Sequence, residues 1–253
     1  MAINVDTVYK TVLSILNKEQ RGYMTPDEFN KVATQVQLEI FESYFDDLNQ
    51  QLRVPQSNTE YADRQKNIDN MISIFKTFGA CTPPSTGIDY FTVPTGPNGL
   101  HKIGTVIYKD EIEVERVQKD QLLYLNLSPL TKPTKTFPVY LYENATLGTI
   151  GTTPTLPRIY VYPKNITSDI SVSYIRKPNN VVWGYSGIGG VIPWTNGPYI
   201  YYPPTSTQFE LDASEQTNVI TKILLYAGVI IRDPEIVQVA AQKSQQEEIN
   251  SKN

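Results

Sequence analysis

The residues most able to do chemistry are a single histidine, His101, and a single cysteine, Cys81. A structural zinc site takes about four ligands, so the single cysteine and the single histidine of this chain cannot form one by themselves. Cys81 stands beside Pro83 and Pro84 with no neighbouring cation to activate it, and His101 lies in a turn-rich stretch. We interpret Cys81 as an unreactive thiol and His101 as a solvated turn residue.

Carboxylates form a second group that could act, because a glycosidase needs only two of them. Asp110 precedes an alternating segment in which Glu111, Glu113 and Glu115 fall on one face of a strand. Three like charges on one face indicate a solvated surface or an edge protected against pairing. A hydrolase that uses Asp110 or these glutamates is one alternative function.

A glycine-rich segment at residues 184–190 resembles a phosphate-binding loop at first sight. It does not lead from a strand into a helix, and Pro193 follows shortly, so a flexible loop is favoured. The chain has no nucleotide-binding motif and no calcium loop of alternating carboxylates. The sequence thus predicts no catalytic residue, cofactor or metal site.

Residues 181–204 are the best candidate for a working surface, since aromatic residues in exposed loops often anchor a partner. The candidate interface residues are Trp183, Tyr185, Trp194, Tyr199, Tyr201 and Tyr202. Two alternatives remain open: these rings fold back as a minor core, or they stack on sugars or single-stranded nucleic acid. The segment has no lysine or arginine to follow a phosphate backbone.

Composition agrees with a surface made for protein contacts. Charged residues make up 19% of the 253 residues, and there are 17 tyrosines. Tyrosine is enriched at interfaces because it combines a large rigid area with a polar tip. The net charge of -4 gives no bulk attraction to nucleic acid or anionic lipid. No leader or membrane span is predicted, and we expect a protein made in a cytoplasm.

The elements around these residues read as helices, then strands, then helices. Apolar spacing predicts helices at about 4–16, 25–52 and 58–76, the second beginning at a capping box of Thr25 and Glu28. Helical signals return at Asp212 and again at Asp233. Short alternating runs between turn residues predict the following strands: Ile88–Val93, Ile103–Tyr108, Glu111–Val117, Phe137–Tyr142, Arg158–Tyr162 and Ile170–Arg176.

No helix of crossover length is evident between the strands, which favours an antiparallel sheet. We therefore expect an α+β fold in which N- and C-terminal helices form a bundle with an inserted antiparallel β domain. The bundle would comprise residues 1–82 and 212–253, and the β domain with its long loops residues 83–211.

Three stretches of the chain resemble head-to-tail connector proteins of tailed bacteriophages, the adaptor or neck-ring class, and more narrowly the ring proteins of crAss-like phages. The stretches are Tyr23–Asn30 continuing to Gln37–Glu42, then Leu156–Pro163 with Val172–Pro178, and finally Phe209–Leu211 with Ile223–Val229 and Asp233–Glu235. Together they span most of the chain.

The resemblance implies a dodecameric ring beneath the portal, in a virion neck or tail. Its partners would be further copies of itself, the portal protein, neighbouring neck or tail proteins and the genomic DNA, which passes without sequence-specific contact. The family has no catalytic residues and no membrane partner to carry over. We expect a non-enzymatic structural protein; the alternative is a receptor- or glycan-binding tail module that uses the aromatic loop.

Overall fold

The computed structural model describes residues 2–18, 24–51, 59–84, 89–145, 156–186 and 199–230, together with the isolated helical positions 242 and 245. These contain five α-helices: α1 (Val5–Lys18), α2 (Pro26–Gln51), α3 (Thr59–Ser73), α4 (Lys119–Leu127) and α5 (Gln216–Ile230). They contain nine strands: β1 (Lys76–Ala80), β2 (Phe91–Thr92), β3 (Leu100–Tyr108), β4 (Ile112–Arg116), β5 (Val139–Ala145), β6 (Leu156–Tyr162), β7 (Ile170–Arg176), β8 (Tyr185–Ser186) and β9 (Ile200–Tyr201).

The chain divides into two compact units. Unit 1 comprises Met1–Ile74 and Pro178–Asn253, so its two segments come from the two ends of the chain. Unit 2 comprises Phe75–Lys177. Among the described residues, no helix combines the length and apolar character needed to cross a membrane.

Unit 1 is built around α2, which begins at the expected capping box. The Glu28 carboxylate accepts a hydrogen bond from the Thr25 backbone N–H over 2.8 Å, and the Glu28 N–H donates to the Thr25 hydroxyl over 3.4 Å. The helix then buries an apolar face that packs against α3 and α5. The buried members of this face include Phe29, Val36, Ile40, Phe41 and Tyr44.

A buried amide joins α2 to two later segments of unit 1. The Gln37 side chain is fully buried; its Nε2 donates to the Asn179 carbonyl over 2.6 Å. Its Oε1 accepts from the Glu210 N–H over 2.8 Å. Both polar ends of the amide are therefore satisfied, as a buried polar group requires.

Unit 2 contains a seven-stranded sheet in the order β1-β7-β3-β4-β5-β6-β2. One buried cluster lines this sheet, with Phe91, Val106, Ile159, Val172 and Tyr174 among its members. The sheet curls but stays open. Thr82, just after the edge strand β1, exchanges backbone hydrogen bonds of 2.9 and 3.1 Å with Thr92 of the other edge strand, β2, in an isolated bridge.

The expected antiparallel sheet is wrong, because β4 and β5 pair in parallel, with Glu115 opposite Val139. A parallel pair needs a connection that returns the chain to the same end, and α4 lies within that connection. Leu122 of α4 is buried in a second cluster with Val139 and Leu141, and Leu125 packs against it.

The expected fold class, a helical bundle with an inserted antiparallel β domain, is also wrong. The protein is a sheet-dominated α+β fold with five described helices and an open, curled, mixed sheet. The prediction failed because it missed α4 and β1. The third helix was expected to reach about residue 76, and the rest of β1 was counted with the helical bundle, whereas the helix stops at Ser73.

Individual elements were predicted more successfully than their assembly. The six expected strands correspond to β2 through β7, with shifted ends, and the first two helices were confirmed. At the expected Asp212 start, the Asp212 carboxylate accepts from the Ser214 N–H, and a 3-10 turn at Ala213–Glu215 precedes α5. The helix expected from Asp233 lies outside the described residues.

Candidate interaction surfaces

Trp183 is the centre of the aromatic segment and belongs to the core of unit 1. It is only 3% exposed. Its ring lies 4.4 Å from Tyr9 and 5.7 Å from Tyr201, measured between ring centroids, and its indole N–H donates to the Asp6 carboxylate over 3.1 Å. Trp183 therefore stabilises unit 1 and is not available to stack on a ligand.

Tyr201 and Tyr185 connect this core to the surface. They face each other on the antiparallel pair β8 and β9, so strand geometry places both rings on the side of Trp183. Tyr201 is half-buried, whereas Tyr185 is 37% exposed and contacts the ring of Tyr199 at 5.0 Å.

The opposite side of β9 faces outward. Ile200 alternates with Tyr201 and is 48% exposed, and Tyr202 is exposed as well. We call the exposed residues Tyr185, Tyr199, Ile200 and Tyr202 the aromatic surface. Tyr185, with Tyr199 against it, lies on one side of β8 and β9, and Ile200 lies on the other. Trp194, which the sequence placed in the same interface, lies outside the described residues.

Backbone contacts hold the aromatic surface in place. The Gly184 N–H donates to the Ser206 hydroxyl over 3.0 Å, and the Gly184 carbonyl accepts from the Tyr202 N–H over 2.8 Å. The space at Gly184 is closed: a Cβ there would stand 2.9 Å from the Tyr202 carbonyl oxygen and 2.2 Å from the Thr205 hydroxyl oxygen. Only glycine at position 184 allows the backbone that follows β9 to approach this closely.

Unit 2 carries a second exposed apolar surface, which sequence reasoning missed. It comprises Leu123, Tyr124, Leu127, Leu130 and Phe137, whose exposed fractions range from 67% to 97%. We call these residues the α4 surface. Leu123 and Leu127 are one turn apart on α4, on the side away from the buried Leu122.

The signal for the α4 surface was present in the sequence. The run Leu122-Leu123-Tyr124-Leu125 has apolar residues on every side of a helix, which normally indicates a fully buried helix. α4 buries only one of its sides within unit 2. The apolar character of the other side is therefore unexplained by the fold of unit 2 itself.

The two surfaces differ in charge. Residues 119–138, around the α4 surface, contain the three lysines Lys119, Lys132 and Lys135 and one carboxylate, Asp120, and all four are exposed. Residues 199–209, around β9, contain no charged side chain. One surface is therefore aliphatic and basic, and the other is aromatic and neutral.

The structure keeps the candidate chemical residues of unit 2 apart. The Cys81 N–H donates to the Ile170 carbonyl over 2.8 Å at one end of β7, whereas His101 lies in β3 near Arg176 at the other end. Five residues of strand correspond to about 16 Å, so these side chains form no dyad. Burial raises the pKa of the Cys81 thiol to about 12, which leaves it protonated and unreactive.

His101 is not the turn residue that the sequence indicated, because it is part of β3. Glu113 and Glu115 are exposed on β4, as expected for a solvated face, and Asp110 and Glu111 are exposed in the turn before it. A cleft of about 460 Å³ includes Asp110, Asp169 and the edge of Cys81. Within the described part of the chain, no three His, Cys, Asp or Glu residues are grouped to hold a metal ion.

No protein-family model and no curated protein matches the sequence.

Proposed function

We propose that this chain is a non-enzymatic structural protein of a virion that forms a ring in the neck, joins the portal to the tail and lines the path of the DNA. The observation that carries the assembly role is the α4 surface. Monomeric proteins rarely expose large contiguous apolar surface, and such surface marks a contact with another macromolecule. Here α4 exposes Leu123, Tyr124 and Leu127, and the segment that follows it exposes Leu130 and Phe137 as well.

The arrangement of chemical groups is consistent with a role in assembly. Burial keeps the thiol of Cys81 protonated, and Glu113 and Glu115 are exposed to solvent on the same strand, β4. The neck position itself rests on the resemblance of three stretches to phage connector proteins. The mild negative net charge of -4 suits a channel through which DNA slides, because a basic lining would retain phosphates.

A receptor- or glycan-binding tail module is the second candidate, and the exposed rings of Tyr185, Tyr199 and Tyr202 are what favours it. It would stack a sugar on exposed tyrosines rather than on Trp183, which is buried. Tyr202→Ala should then abolish binding to a glycan array while leaving the particle intact. Under the ring proposal the same variant weakens assembly and has no glycan ligand to lose.

Quantitative mass spectrometry of purified particles from the source tests the ring proposal directly. The closed dodecameric ring that the resemblance implies predicts about a dozen copies per particle, in a fixed ratio to the portal protein. A much larger count would indicate a shell protein. Absence from the particle would contradict the virion proposal and leave the binding module as the leading candidate.

A further inference from the structure

Arg158 of β6 is a buried cation that has no counter-ion among the described residues. The residue is 7% exposed, and its Nε is enclosed without a hydrogen-bond partner. The centroid of the Tyr90 ring lies 4.1 Å from the guanidinium carbon. A ring face attracts a cation but carries no full negative charge to compensate it. A buried charge that stays unpaired is costly, so a ligand for Arg158 is to be sought.

Strand geometry places Arg158 on the face of the sheet that α4 covers. Arg158 stands two residues before Tyr160, which packs against the buried cluster between α4 and β5, and alternate residues of a strand share a face. Glu143 of β5 is directly opposite Arg158 on one side, and Thr92 of β2 is opposite it on the other. Arg158 is therefore the middle residue of a row that crosses three strands.

The carboxylates next to Arg158 and its ring partner are each bound to a lysine. The Lys119 ammonium lies 3.9 Å from the carboxylate of Glu143, and the Lys164 ammonium lies 2.8 Å from that of Asp89, the residue before Tyr90. The neighbouring stretches 82–88 and 144–157 contain no Asp or Glu. Each lysine thus has its carboxylate, and the charge of Arg158 is left over.

We propose that Arg158 binds the carboxylate of a small organic acid, which supplies the missing negative charge. A guanidinium is a planar fork whose N–H groups donate two parallel hydrogen bonds to an oxyanion. One uncompensated charge matches a monoanionic carboxylate, whereas a phosphate dianion would bring a second, unpaired charge into a buried place. Because only 7% of the residue is exposed, a group of few atoms suits the opening better than a broad macromolecular surface. The inference goes beyond the proposed function and does not depend on it.

The competing arrangement is an ion pair between Arg158 and Glu143. Side chains that are directly opposite in antiparallel strands are close enough to meet. In the structure, however, the Glu143 carboxylate lies at Lys119, on the side of β5, whereas the Arg158 guanidinium lies over Tyr90, on the side of β2. The two charged groups are thus held by different partners, which leaves the guanidinium for a ligand.

Nuclear magnetic resonance of the full chain with isotope-labelled arginine tests the site. The Nε–H signal of Arg158, identified by its loss in Arg158→Lys, should shift saturably when sodium acetate is added. Sodium chloride at the same ionic strength should not shift it in this way. The signal of Arg116, which is exposed on β4, is the control and should not saturate. An Arg158 signal that moves no more than that of Arg116 overturns the proposal, and an equal saturable shift with chloride or phosphate overturns the assignment to a carboxylate.

The variant Glu143→Gln separates the ligand from the competing ion pair. It keeps the shape of the side chain and removes the negative charge opposite Arg158, so acetate should bind several-fold more tightly than in the unmodified protein. Asp89→Asn is the matched control and should change the affinity less, because Asp89 and Lys164 are both 66% exposed. Saturable binding in Glu143→Gln together with none in the unmodified protein would show that Glu143 itself pairs with Arg158, and would overturn the proposal.

Thermal unfolding gives a second readout that needs no signal assignment. A ligand that binds only the folded protein raises its unfolding midpoint, so acetate should raise the midpoint of the unmodified protein more than chloride does. Arg158→Lys keeps a positive charge beside Tyr90 but lacks the planar fork, and it should lose this difference. An equal gain in Arg158→Lys would show that acetate acts elsewhere on the protein and would contradict the site.

Discussion

The indole N–H of Trp183 donates a 3.1 Å hydrogen bond to the carboxylate of Asp6, although 177 residues separate them along the chain. Asp6 also accepts from the Lys10 ammonium over 2.6 Å, so its charge is compensated locally. The contact attaches the segment before β8 to the first turn of α1. It also makes Trp183 a structural residue rather than part of a binding surface.

Replacing Trp183 should therefore destabilise the fold of unit 1. We expect Trp183→Ala to lower the free energy of unfolding by about 3–5 kcal/mol, because a buried ring leaves a cavity. Trp183→Phe keeps a ring beside Tyr9 but loses the hydrogen bond to the Asp6 carboxylate, so we expect the free energy of unfolding to fall by about 1.5–3 kcal/mol. Chemical unfolding followed by far-ultraviolet circular dichroism measures both. Tyr185→Phe, at a 37% exposed ring, is the control and should change little.

The amide of Gln37 makes a second testable link within unit 1. Gln37→Leu keeps the volume and removes both hydrogen bonds, so the Asn179 carbonyl and the Glu210 N–H lose their buried partner. We expect a loss of about 1–3 kcal/mol for each group left unpaired. Lys31→Ala, at an exposed ion pair on the same helix, should have little effect. Equal stability of the two variants would contradict a structural role for the amide.

The cap of α2 predicts a dependence of stability on pH. Hydrogen bonds from the Thr25 N–H and hydroxyl hold the pKa of Glu28 below its ordinary value of 4.5. A carboxyl whose pKa is lowered by folding contributes stability that is present above its unfolded pKa and is lost as pH falls through its folded pKa. The Ser214 N–H lowers the pKa of Asp212 in the same way.

Glu28→Gln isolates this contribution, because glutamine can still accept the capping hydrogen bond but does not titrate. We expect the stability advantage of the unmodified protein over Glu28→Gln to be constant above pH 4.5 and to shrink below it. Urea unfolding at a series of pH values measures the difference. An advantage that did not change with pH would show that the carboxylate charge is unimportant.

The first three predictions depend on features that sequence reasoning recovered to different degrees. The cap of Thr25 and Glu28 was predicted because its signals lie within four residues. The aromatic segment was found, but its sequence alone could not tell that Trp183 faces inward. That orientation depends on Asp6 and Tyr9, which are distant in the chain.

The two missed elements have different physical causes. The run Leu122–Leu125 places apolar residues on all sides of α4, so the helix has no apolar stripe to detect. Because the helix was not predicted, the parallel pairing of β4 with β5 was not predicted either. β1 is short and contains Gly79, and none of its five residues is buried, since even Phe78 is 58% exposed. Its position is decided by pairing with β7, a contact across about a hundred residues of chain.

The buried thiol of Cys81 should resist modification in the folded protein. Burial raises the pKa of this thiol to about 12, so nearly all of it is protonated at pH 8, and only the thiolate reacts. We expect an aromatic disulfide reagent to modify Cys81 slowly in buffer and rapidly in denaturant. Leu130→Cys supplies the control, since its added thiol lies at a 97% exposed position. Rapid modification of native Cys81 would show that this part of unit 2 opens readily.

Two glycines allow a matched test of how the aromatic surface is held. Gly184→Ala would place a Cβ 2.9 Å from the Tyr202 carbonyl oxygen, within van der Waals overlap of backbone, whereas Gly96→Ala meets only the flexible side chain of Arg176 at 3.4 Å. Gly184→Ala should cost about 1–3 kcal/mol, as overpacking does. Chemical unfolding measures the stability of both variants. Gly96→Ala should change it little, and an equally small loss in Gly184→Ala would show that the Tyr202 backbone moves aside for the added Cβ.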